Sequence, residues 1–152
     1  ERGFKGPVYA TTGVFNQDYL RVGGKSVENV IAVTGPIGAH EQLPACNPIK
    51  QVSAEFIKKY EDINGEGSWN SFAAFAYDGN LVLTEAIQRA LKKGKPGTPE
   101  FRKAVRDELR GVKELVGTNG VYHFPEGSSY GVDDRPVILV QVKNGQWKYL
   151  PN

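Results

Sequence analysis

Few residues in this chain combine a reactive type with a spacing suited to chemistry. Gly24-Lys25-Ser26 matches the end of a phosphate-cradling loop. That loop needs a glycine five positions before Gly24, and Tyr19 stands there. The glycines at 23, 24 and 35 form no dinucleotide-binding fingerprint either. The two histidines, His40 and His123, and the single cysteine, Cys46, do not have metal-ligand spacing. Both histidines read as surface or turn residues. Cys46 reads as a small buried or half-buried residue, although the helix start at Asn47-Pro48 beside it could favour a thiolate. No serine lies in a G-x-S-x-G elbow, and Gly127-Ser128-Ser129 reads as a loop. Glu61-Asp62 and Asp133-Asp134 are neighbours in sequence, which does not place two carboxylates on either side of one bond. No catalytic constellation is assembled locally, and none of these motifs calls for a cofactor.

Composition narrows the classes further. The chain has 152 residues, 39% apolar and 24% charged, enough for a sizeable core and near globular averages. A net charge of +2 with both signs interspersed gives no footprint for nucleic acid. No run approaches the roughly 18 apolar residues of a membrane-spanning helix, and Glu1 to Lys5 has no apolar signal-peptide core. The absence of methionine, even at position 1, predicts residues in front of Glu1.

Residues with these types must be held by strands and helices in alternation. Val8 to Thr12 reads as a parallel strand, Asn16 to Val22 as a short helix closed by Gly23-Gly24, and Val27 to Thr34 as a second strand. Ile37 to Cys46 has no clear period. Asn47-Pro48 opens a helix with Ile49, Val52, Phe56, Ile57 and Tyr60 on one stripe. The segment from about Ser71 to Lys93 is apolar on more than one face, which predicts a helix buried between layers. Thr98-Pro99-Glu100 opens a third long helix with a stripe at Phe101, Val105, Leu109 and Val112. Gly117 to Phe124 reads as a turn and strand. The strands Val137 to Val142 and Gln146 to Leu150 close a hairpin at Asn144-Gly145. Strands mixed with helices of this length imply a layered α/β architecture.

Several short stretches carry a family resemblance in their order. They are Gly6-Pro7-Val8-Tyr9, Thr12-Gly13, Leu20 to Lys25, Val27-Glu28 and Thr34-Gly35-Pro36, then Leu43-Pro44, Asn47-Pro48, Phe56 and Tyr60. Ala76-Tyr77-Asp78, Ala86-Ile87, Thr98-Pro99, Arg106-Asp107, Leu109, Gly117, Gly120-Val121 and Asn144-Gly145 complete the series. In this order the chain resembles the carboxyl-terminal part of the branched-chain amino-acid-type periplasmic solute-binding proteins of ABC transporters. The resemblance implies a type I periplasmic binding protein fold, two Rossmann-like α/β lobes with a ligand between them, present as a C-terminal fragment. Residues 1–35 would be the end of lobe 2, 36–138 the second part of lobe 1, and 139–152 the terminal strands of lobe 2.

The same resemblance implies a non-catalytic function, capture of a small carboxylate for an ABC permease, in the periplasm or lipid-anchored outside the cell. Ligand-binding positions carry over to Thr12, Gly13, Phe15 and Asn16 in the loop after the first strand, and to Phe72 in the buried helix. Phe72 reads equally as an ordinary core aromatic. Amino-acid binders of the family often place an acid near Thr12, yet none lies between Val8 and Gln17. That departure points away from an α-amino acid toward an aromatic or other small organic acid. The implied partners are the carboxylate, the permease and the family's amino-terminal half, with exposed strand edges open to dimerisation. A sensor domain of the same fold is the alternative function. An α/β enzyme dependent on His123 or Cys46 is the third.

Overall fold

The helices start where a side chain can take the first free backbone N–H groups, and the computed structural model, which describes residues 3–151, shows each cap. Asn16 Oδ1 accepts from the Tyr19 N–H at 2.7 Å and opens α1 (Gln17–Gly23). Asn47 caps α2 (Pro48–Asn64) through the Ile49 N–H, and Asn70 caps α3 (Ser71–Ala90) through the Ala73 N–H, both at 3.0 Å. Thr98 does the same for α4 (Pro99–Leu109). Each such cap contributes about 1 kcal/mol. The predicted helices therefore stand, with α3 ending at Ala90 rather than Lys93.

The strands are shorter than the apolar runs suggested. Of Val8 to Thr12 only β1 (Tyr9–Ala10) pairs, because Thr12–Val14 turns into a 3-10 segment. Of Val27 to Thr34 only β2 (Ile31–Thr34) does, because Gly24–Val27 is a 3-10 segment and Asn29 has φ of 68°. The segment without clear period also has structure: Pro36–Gln42 is 3-10. A small hairpin, β3 (Leu115–Val116) with β4 (Val121–Tyr122), stands apart from the main sheet. At Asn144-Gly145 both residues have positive φ (54° and 71°), which lets the chain reverse tightly between β5 (Ile138–Lys143) and β6 (Gln146–Leu150).

The main sheet has the order β1-β2-β5-β6, parallel between β1 and β2 and antiparallel elsewhere. Strands from the two ends of the chain thus meet in one sheet, and residues 36–137 leave it and return. One sheet face is packed. Ala32, Ile138, Val140, Val142 and Trp147 form a core with Phe15, Leu20 and Val27. The register Val33↔Leu139↔Leu150 puts apolar residues across the other face, which stays partly open, with Tyr9 66% exposed. A second, separate core forms in the helical part, around Ile37, Phe56 and Ala74 with Tyr60, Trp69 and Tyr77. The chain passes from one core to the other through Thr34 to Ile37.

Two expectations about burial are corrected. Cys46 is exposed, because it lies in the turn just before the α2 cap. Helix α3 is not enclosed between layers. Ser71, Ala74, Asp78, Val82, Ala86 and Ala90 are buried on one face, whereas Phe72, Phe75, Ala76, Gly79 and Leu83 lie exposed on another. Periodicity reported two apolar faces correctly, but this chain covers only one. Among the described residues no helix is long and apolar enough to cross a membrane.

Candidate functional site

Two polar regions flank α3, and they differ in whether their groups are already used. The first is built on Asp78, in the middle of the helix and 1% exposed. Its Oδ1 accepts from the Thr118 N–H (2.7 Å) and Thr118 hydroxyl (2.9 Å), and its Oδ2 from the Asn119 N–H and the Tyr122 hydroxyl (both 2.8 Å). Ser53 Oγ donates to the Thr118 carbonyl at 3.2 Å, tying α2 into the same knot. Burial, reinforced by the Asp78 carboxylate beside it, pushes the Tyr122 phenol well above its ordinary range. Gly117 is required here by close approach: a Cβ would lie 2.7 Å from Asp78 Oδ2. Four donors meet the four lone-pair sites of one carboxylate, leaving nothing free for a ligand. The knot is structural, fastening the β3-β4 hairpin to α3.

The second region lies where the sheet core meets the helical core. The Thr11–Asn16 loop reaches the first turn of α3, and Ser71 Oγ donates to the Phe15 carbonyl at 3.4 Å. Beside this contact is a half-open cavity of about 720 Å³, with Phe15, Asn16, Trp69, Asn70, Ser71 and Trp147 among its walls. Phe15 packs its ring against Trp147 with centroids 5.2 Å apart, and Tyr19 stacks on the same indole at 5.9 Å. The volume is in the range of small-molecule sites, and its walls come from both cores.

The five predicted site residues divide. Phe15 and Asn16 border the cavity, but Phe15 is also a core residue and Asn16 spends its side chain on the α1 cap. Thr12, Gly13 and Phe72 do not border it. They are exposed, Phe72 by 66%, so the core reading of that ring is overturned. Beside Phe72 on the same open face is Phe75, which sequence reasoning placed in the buried helix. Trp147 and Lys148 were missed as cavity residues, because no local signal links a terminal hairpin to a loop more than a hundred positions earlier. His123 lies elsewhere, its Nδ1 3.6 Å from Glu114 Oε1. Among the described residues no group of three His, Cys, Asp or Glu side chains could hold a metal ion.

The family model that matches the chain is described as periplasmic binding protein and aligns with residues 1–146. Among solved structures, an extracellular ligand-binding receptor from Rhodopseudomonas palustris is similar at 39% identity and a TM-score of 0.89, over 99% of this chain. A leucine binding protein from Thermotoga maritima is similar at 25% identity and a TM-score of 0.68, over 98% of this chain and 37% of its own. A protein provisionally described as a branched-chain amino acid ABC transporter from Rhodospirillum rubrum is also 25% identical, with a TM-score of 0.66, over 98% of this chain and 38% of its own. A search of curated proteins finds no match. The chain spans 42% of the length of the Rhodopseudomonas receptor.

Proposed function

The chain belongs to the periplasmic binding protein family, and on that premise we propose that it is part of the solute-binding component of an ABC transporter, capturing a small carboxylate. The fold is that of a type I periplasmic binding protein, and the solved relatives are named for ligand binding rather than for catalysis. The proposed division assigns residues 1–35 and 139–152 to one lobe and 36–138 to the other. The ligand lies between lobes, and a permease distinguishes the closed from the open arrangement. A periplasmic location, or a lipid-anchored extracellular one, goes with that role.

The observation that carries this reading is the meeting of the Thr11–Asn16 loop with the first turn of α3. It joins the two cores through Ser71 and Phe15 while leaving Thr12, Gly13 and Phe72 exposed. A hydroxyl, a bare backbone, an aromatic ring and the N-terminus of a 20-residue helix suit a carboxylate with an apolar body. No acid lies between Val8 and Gln17 to hold an ammonium group, so the favoured ligand is a plain or aromatic acid rather than an amino acid.

Calorimetry with 4-methylpentanoate, phenylacetate and leucine tests this. In a polypeptide of the relatives' length carrying these residues, one of the two plain acids is expected to bind at micromolar concentration. Phe72→Ala should weaken that binding at least tenfold. The present chain alone should bind the plain acids far more weakly. Failure of both acids to bind the longer polypeptide would sink the carboxylate reading; micromolar binding by this chain alone would refute the shared pocket.

A further inference from the structure

A second pocket, of about 490 Å³, lies past the end of α4, where residues 110–113 meet the loop 123–129 that follows β4. Its walls are tied together by the backbone. The Phe124 N–H donates to the Val112 carbonyl at 3.1 Å, the His123 N–H to the Gly131 carbonyl at 2.9 Å, and Arg89 Nη1 to the Gly111 carbonyl at 2.9 Å. Within the loop, the Ser128 N–H donates to the Pro125 carbonyl and the Tyr130 N–H to Ser128 Oγ, both at 3.1 Å. The groups left over are mostly cations and donors. Arg110 and Lys113 enter no ion pair among the described residues, because the neighbouring acids are taken: Glu108 by Lys93, Asp107 by Arg106 and Glu114 by Arg135. The N–H groups of Glu126, Gly127 and Ser129 have no protein acceptor among the described residues. His123 shares this wall, and its buried Nδ1 has no hydrogen-bond partner there, Glu114 Oε1 being 3.6 Å away. Glu126 is the one acid among the lining residues.

We propose that this pocket binds a phosphate monoester, its terminal oxygens held by Arg110, Lys113 and the free donors of the 126–129 loop. An arginine fork, a lysine point charge and several N–H groups offer more donors than the two oxygens of a carboxylate can use, and they match a phosphate. Phe124 and Pro125 on the same wall provide an apolar seat for the carbons of the ester. Glu126 opposes a bare anion but can accept from a hydroxyl of the esterified alcohol. Arg102 and Arg106 precede Arg110 at four-residue spacing along α4, which extends the positive field toward the pocket and steers an anion to it. A soluble phosphate ester and a lipid headgroup ending in a phosphate present the same chemistry. The site is independent of the carboxylate reading above, which concerns the exposed Thr12, Gly13 and Phe72 surface, and every wall of it belongs to residues 110–129.

Calorimetric titration with glycerol 3-phosphate at fixed ionic strength tests this, on the present chain and on a polypeptide of the relatives' length. Saturable binding to one site is expected, with affinities within about threefold of each other in the two, because the pocket is local. Arg110→Gln and Lys113→Gln, both at exposed positions that should leave the circular dichroism unchanged, should each weaken binding at least fivefold. Glu126→Gln should tighten the binding of inorganic phosphate by removing the one like charge. Arg102→Gln removes an equal charge outside the walls and should change affinity less than twofold, and Phe72→Ala should change nothing. Co-sedimentation with phosphatidylcholine vesicles carrying phosphatidic acid separates the sources. Retention on them that glycerol 3-phosphate competes away assigns the lipid headgroup; binding of the ester without retention assigns the soluble one. No saturable binding of glycerol 3-phosphate overturns the proposal, as does a loss in Arg102→Gln equal to that in Arg110→Gln, which would mark diffuse attraction rather than a site.

Discussion

The knot around Asp78 and the exposed first turns of α3 lie on the same helix, yet they use opposite physics. At Asp78 every lone-pair site is filled and the group is 1% exposed. At Phe72 and Phe75 two large rings face solvent, 66% and 42% exposed, with Gly79 and Leu83 continuing the stripe. A buried charge without a cationic partner persists only when hydrogen bonds replace its water completely. An exposed ring makes no such demand and is free to meet something else. Substitutions should therefore fail by unfolding in one region and by loss of recognition in the other.

The largest effect is expected at Asp78. Asp78→Ala strands the Thr118 and Asn119 N–H groups and the Tyr122 hydroxyl in a dry site, and unmet donors cost about 1–3 kcal/mol each. A loss of about 4 kcal/mol or more in urea unfolding is expected; a loss under about 1 kcal/mol would break the contrast. Gly117→Ala comes next, by pressing a methyl against the Asp78 carboxylate, at about 2–3 kcal/mol in the same assay. Tyr122→Phe removes one charge-assisted bond and should cost about 1.5–3 kcal/mol near neutral pH. It also changes the alkaline limb. Because the folded-state pKa of Tyr122 is raised, the folded protein holds the phenolic proton more tightly than the unfolded chain. This stabilisation is complete below about pH 10, the ordinary tyrosine value, and is lost as pH rises above it. Urea midpoints at pH 8 and 11 should therefore fall more for the native protein than for Tyr122→Phe. The smallest stability change is expected for Phe72→Ser, within about 0.5 kcal/mol, as for other exposed substitutions. A loss above about 2 kcal/mol at Phe72 would place that ring in the structural class with Asp78.

What the sequence made legible follows from the range of each signal. Asn47-Pro48, Thr98-Pro99 and Asn144-Gly145 act within a few residues, and each forms the cap or turn its local chemistry requires. The two apolar faces of α3 were legible as faces. What covers them was not, because periodicity records which side chains avoid water and not which neighbour shelters them. Asp78 was visible only as part of Ala76-Tyr77-Asp78. A lone acid on an otherwise apolar helix stripe was the available sign of a buried polar anchor. Its donors, forty positions away in the β3-β4 turn, carry no mark of their own. The cavity is harder still, since Glu41, Trp69 and Lys148 converge only after the sheet has joined both ends of the chain.

The open outer faces of α3 and of the main sheet contribute to an excess of exposed area over the whole chain. A folded monomer of this mass is expected to expose about 7,600 Å². This chain exposes 10062 Å², a surplus of about 2,400 Å², the scale of surface that permanent associations bury. Folding has arranged that surface without sheltering it. Much of the hydrophobic gain available to these residues is deferred to whatever meets them next.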